Sequence, residues 1–146
     1  MDTFILPEWR KREITTAVIT LFFENSGIGA GGLCAHLMKK HRMLPVPYKV
    51  LSGGLQKILC RKCGRYGLII PLDSGVVLFL YNSLQSREEL RRTVWHELGH
   101  IRLGHIQSSQ LAEAEANHYM KTATVLEAML NNITEGLPMD AFIKTA

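Results

Sequence analysis

The sequence predicts an α+β fold, and three observations carry that prediction. Apolar residues suggest a helix near the N-terminus, short β-branched runs broken by glycine and proline fill the middle, and helical spacing returns in the last third. Helices, then strands, then helices is an α+β order. A length of 146 residues is one domain's worth, so residues 1–146 are expected to form a single domain with a real core.

Taken in order, Ile14 to Glu24 is apolar-rich and stops at Asn25-Ser26-Gly27, a helix-end signal. Gly27 to Gly32 reads as a flexible connector, since no GK[ST] follows to make it a phosphate loop. Leu33–Lys40 is a second short helix. Pro45 and Pro47 then exclude helix, and Tyr48–Leu51 before Ser52-Gly53-Gly54 reads as a strand and turn. Gln56–Cys60, Gly67–Pro71 and Gly75–Tyr81 follow as strands of a small, mostly antiparallel sheet; the last is the strongest, apolar on both faces. Ser86 and Glu89 fit a capping box that opens a helix running to Gly104, a residue suited to the left-handed stop. A final helix, about Ser109 to Asn131, carries Ala112, Ala116, Tyr119, Ala123, Leu126 and Leu130 on one face.

Composition narrows the function. Apolar residues at 47% and charged ones at 21% exclude wholesale disorder. The 17 Lys+Arg against 13 Asp+Glu leave +4, too mild to argue for a nucleic-acid partner. The best apolar stretch, Leu68 to Tyr81, is broken by Pro71, Asp73 and Gly75, so no membrane association is expected. The N-terminus places its charges after a very short apolar patch, the reverse of a secretory signal, and a cytoplasmic location is expected. The cysteines are three, with Cys60 and Cys63 in a CxxC. They could form half of a zinc site with Cys34 and His36, but only one pair has ligand spacing, and three free thiols are the simpler reading.

The residues that carry chemistry are His96-Glu97-Leu98-Gly99-His100. On a helix, positions four apart differ by only ~40° in azimuth, so both imidazoles leave one face within reach of a single ion. Zinc suits two neutral imidazoles and a carboxylate, with a fourth position open to water. Glu97, one residue on, can reach that water and take its proton as it attacks a carbonyl. An ordinary amphipathic helix would explain the pattern less well. Leu90, Val94, Leu98 and Ile101 make its apolar stripe, and the two histidines stand off that stripe.

A third ligand is expected from Glu113-Ala114-Glu115-Ala116-Asn117 on the next helix. Glu113 and Glu115 point ~200° apart, so only one can serve. Glu113 is the choice, with Glu115 as the alternative. Asn117, one turn past Glu113, is placed to hydrogen-bond a ligating histidine or the carboxylate.

The segment Trp95–His105, with His96-Glu97-Leu98-Gly99-His100 and Leu103-Gly104-His105, followed by Glu113-Ala114-Glu115-Ala116-Asn117, resembles the ImmA/IrrE metallopeptidase family. The similarity covers Val76–Asn117 and is loose before it. It implies a zincin-like domain, one Zn²⁺ held by His96, His100 and Glu113, and Glu97 as catalytic base. It also implies narrow cleavage of a regulatory protein, a helix-turn-helix repressor of a phage or mobile element above all. After Asn117 the chain departs from the family pattern, with His118-Tyr119-Met120-Lys121 and no proline until Pro138. A different class of function is a zinc-stabilised module that binds a repressor or toxin without cutting it; an intact Glu97 weighs against that. His105 is expected behind the ligands or on the surface. His118 could stabilise an oxyanion, and Trp95 and Tyr119 read as core aromatics.

Overall fold

The computed structural model describes residues 4–28, 30–62 and 66–131. Among the described residues, five helices accompany a three-stranded sheet: α1 (Glu8–Glu24), α2 (Ala30–Lys40), β1 (Met43–Pro47), a 3-10 turn at Tyr48–Val50, α3 (Gly53–Lys62), β2 (Gly67–Pro71), β3 (Val77–Tyr81), α4 (Arg87–Arg102) and α5 (Gln110–Asn131). The architecture is α+β, as the alternation of patterns predicts. Among the described residues, no helix is long and apolar enough to cross a membrane.

The sheet order is β1-β3-β2, with β1 parallel and β2 antiparallel to the central β3. The expected antiparallel majority is therefore an even split. Pro45 and Pro47 lie in β1, an edge strand, where a missing N–H does least harm. The strand expected at Tyr48–Leu51 lies just upstream instead, and Tyr48–Val50 is the 3-10 turn that ends it. The strand expected at Gln56–Cys60 is part of helix α3. Ser52 starts that helix, its Oγ accepting from the Leu55 N–H at 3.3 Å and its carbonyl from the Gln56 N–H at 2.9 Å. Short apolar runs fit either period, and the two glycines look like a turn until the serine cap is recognised.

β3 buries both faces, as its sequence predicts. Phe79 and Tyr81 stack at 5.4 Å and face the main core, while Leu80 packs with Tyr48 on the other side. The core joins Ile14, Val18 and Leu21 of α1, Leu33 and Leu37 of α2, and Leu90, Val94, Trp95 and Leu98 of α4. On α5, Ala112, Ala116, Tyr119 and Ala123 are buried as expected, whereas Leu130 is exposed.

Four local features position α4 and α5. The capping box is complete: Ser86 Oγ accepts from the Glu89 N–H, and the Glu89 carboxylate accepts from the Ser86 N–H. At the other end Gly104 has φ +73°, and the His105 and Gly104 N–H groups donate to the carbonyls of His100 and Ile101. That pair of bonds is a Schellman stop. Between the ends, a Cβ on Gly99 would sit 3.1 Å from Tyr119 Cβ and 3.2 Å from its Cγ, so glycine lets the two helices approach. Ser109 caps α5, its Oγ accepting from the Ala112 N–H at 3.0 Å.

Candidate metal centre

The ends of α4 and α5 that meet beside Gly99 carry the expected trio. His96 Nε2 and His100 Nε2 lie 3.1 Å apart, Glu113 Oε1 is 3.5 Å from His96 Nε2, and Glu113 Oε2 is 2.5 Å from His100 Nε2. A four-coordinate ion with ligands at ~2.0–2.1 Å sets its ligand atoms roughly 3.3 Å apart. Two of the three separations match that spacing, and the third needs a small opening. Among the described residues this is the one group of three such side chains able to hold a metal ion. The donor set of two imidazoles and a carboxylate fits Zn²⁺.

Electrostatics favour the neutral form of His100. Burial, then the neighbouring His96, hold His100 below the ordinary histidine value, so its imidazole is neutral over a wider range of pH. Glu113 is half exposed, at 47% of its side chain, and its carboxylate faces the two imidazoles with no Lys or Arg paired to it among the described residues. Glu97 differs from it sharply. It is buried, at 7% exposure, and burial followed by the nearby Glu113 charge pushes its carboxyl up to about 8 in the metal-free chain.

His96, Glu97 and Glu113 line a cavity of about 360 Å³ together with Tyr66, Thr93 and Asn117. Glu113 and Asn117 also line a second, wider groove of about 870 Å³ that runs past Leu6, Lys11 and His118. The two clefts thus meet at the candidate ligand. Gly67, at the start of β2, admits the sheet to this place: a Cβ there would sit 2.9 Å from the Leu80 carbonyl oxygen and 3.0 Å from Thr93 Cγ2.

Other expected residues stand elsewhere. Glu115 does not reach the trio. It is buried, takes a two-pronged hydrogen bond from Arg10 (2.6 and 3.1 Å), and lies 2.8 Å from His105 Nε2. The Arg10 bond, more than any other influence, holds its carboxyl below the usual range. It is replaced as the alternative ligand by this pairing. Asn117 faces the cavity but makes no hydrogen bond to His96, His100 or Glu113. His118 turns toward α1, with Nε2 2.8 Å from Thr15 Oγ1, outside the cavity that Glu97 lines. Cys34 is buried in the core, and the side chains of Cys60 and Cys63 lie outside the described residues.

One contributor refines an expectation, and two escape a reading by motif. His105 stands with Nδ1 2.9 Å from His100 Nδ1, delivered there by the Gly104 stop. Arg10 comes from α1, 105 positions from Glu115, a distance no local pattern encodes. Tyr66 reaches the cavity from the segment before β2. Of these only His105 carries a sequence signal, as part of Leu103-Gly104-His105, and it stands behind a candidate ligand, one of the two places expected of it. No protein-family model, curated protein or solved structure matches this chain.

Proposed function

We propose that the protein is a zinc-dependent endopeptidase of narrow specificity. The observation that carries the reading is the convergence of His96 Nε2, His100 Nε2 and a Glu113 oxygen beside the buried Glu97, at the junction of two clefts. His96, His100 and Glu113 hold the ion. When bound, Zn²⁺ supplies Lewis acidity toward a water and a carbonyl oxygen, and its positive charge favours ionised Glu97. Glu97 accepts the proton of the water that attacks the scissile carbonyl and returns it to the departing amine nitrogen. Its burial excludes bulk water from that exchange. The groove past Lys11 and His118 gives a polypeptide room to continue beyond the cavity.

The substrate we propose is a regulatory protein in the cytoplasm, a helix-turn-helix repressor first of all. Support for that step is the sequence resemblance of His96–Asn117 to the ImmA/IrrE metallopeptidases. The test is incubation of the zinc-loaded protein with repressors encoded beside it. Defined fragments are expected with the parent protein and none with Glu97→Gln, which keeps its zinc. Stable binding without fragments would instead favour the non-proteolytic module.

A further inference from the structure

We infer, on the reading of His96, His100 and Glu113 as ligands, that His105, Glu115 and Arg10 form a positioning relay that presents His100 Nε2 to the metal. The relay runs through three contacts: Arg10 to Glu115 at 2.6 and 3.1 Å, Glu115 Oε1 to His105 Nε2 at 2.8 Å, and His105 Nδ1 to His100 Nδ1 at 2.9 Å.

The direction of each hydrogen bond follows from the chemistry of its groups. Glu115 is gripped by a guanidinium, which only donates, so its carboxylate is an acceptor on every side. His105 Nε2 must therefore carry the proton that points at Glu115. A neutral imidazole then has a bare Nδ1, which can only accept. His100 Nδ1 is its neighbour and must donate, which leaves His100 Nε2 bare. That nitrogen is the one facing His96 Nε2 and Glu113. The lone pair thus points where an ion needs it. A ring held in one tautomer and one orientation loses less freedom on binding metal, and such outer partners typically govern ~10–100-fold in metal affinity.

The fold assembles the relay from three places. Gly104, at φ +73°, turns the chain so that His105 falls back on the helix that carries His100. Glu115 stands two residues after Glu113 on α5 and so faces away from the ligand cluster toward α1. Arg10, in the first turns of α1, closes the far end and ties the N-terminal helix to the metal centre.

Zinc affinity, measured by chelator competition, and ¹⁵N NMR of the histidine rings test this together. In the zinc-loaded parent protein, His100 is expected to carry its proton on Nδ1 and His105 on Nε2. His105→Phe, which keeps the ring shape without nitrogens, is expected to bind zinc ~10–100-fold more weakly while circular dichroism stays unchanged. His105→Asn, which can keep an acceptor near Nδ1, should fall between the two. Parent-like affinity in His105→Phe, or a His100 bound through Nδ1, would overturn the relay and leave the metal centre standing. A parent protein that takes up no zinc would overturn both. The NMR readout needs no variant, so a misfolded substitution does not shield the relay from refutation.

Discussion

The two ends of the α4–α5 pair make the most instructive contrast in the molecule. At one end Glu113 meets His96 and His100; at the other Glu127 meets Arg91 and Trp95. Both carboxylates come from α5 and both face α4. Glu127 is fully buried, 3.5 Å from the Arg91 guanidinium and 3.3 Å from the Trp95 indole nitrogen. Burial still pushes its carboxyl upward despite that cation. Glu113 is half exposed and, among the described residues, has no such cation, only two nitrogens that can bind a metal when neutral. A carboxylate used to hold the fold is given a permanent positive partner. One that could hold an ion is left facing two imidazoles at the mouth of a cleft.

Exchanging the roles of the two ends should break this contrast most visibly. Glu113→Ala is expected to abolish stoichiometric zinc uptake while leaving the chain folded, as read by elemental analysis and circular dichroism. Glu127→Ala should do the reverse: zinc is kept, and chemical denaturation shows a loss of about 3–5 kcal/mol, because the largely buried Arg91, its Nε shut off from solvent, is left without its partner. Replacing Arg91 and Glu127 together by Met and Leu should recover most of that loss. Zinc retained by Glu113→Ala would remove the distinction between the two carboxylates.

Glu97 sharpens the comparison through its proton. Glu97→Gln is expected to cut cleavage by ~10²–10⁴-fold with zinc content unchanged. In the metal-free chain its carboxyl is raised from 4.5 to about 8. The native state therefore keeps a proton that the unfolded state releases across that window, and this group lowers stability as pH rises through it. Glu97→Gln removes the effect. Its melting temperature should exceed the parent's by an amount that is near zero at pH 4.5 and grows toward pH 8. A gap that stays constant with pH would contradict the assignment.

A smaller effect tests the surface between the two ends. Gly99→Ala forces a methyl to within 3.1 Å of Tyr119 Cβ, and overpacking of this kind costs about 1–3 kcal/mol. The helices can relieve it only by separating, which moves Glu113 from the imidazoles. Zinc affinity should therefore fall along with stability. A variant destabilised with undiminished affinity would show that the site does not depend on this close approach.

How much of this the sequence disclosed follows from the range of each interaction. Ser86 and Glu89, Gly104, and the pair His96 and His100 act within one or two helical turns, and each is where the local pattern puts it. Glu113 required one further idea, that the next helix packs back across the first, and its offset from Glu115 separated the two by direction. Glu115 itself was ambiguous because its partner Arg10 lies 105 residues away. Glu127 gave no signal at all: a glutamate late in an amphipathic helix looks solvated until Arg91 is seen against it. Helix α3 departs from the expected strand for a different reason, a short apolar run that satisfies two periods at once.

The most direct test of the account is the zinc content of protein purified without chelator, parent beside His100→Ala. One equivalent per chain in the parent and none in the variant is the expected result. A parent free of stoichiometric metal, or a variant that keeps it, would contradict the central claim that two helices grip one ion between them.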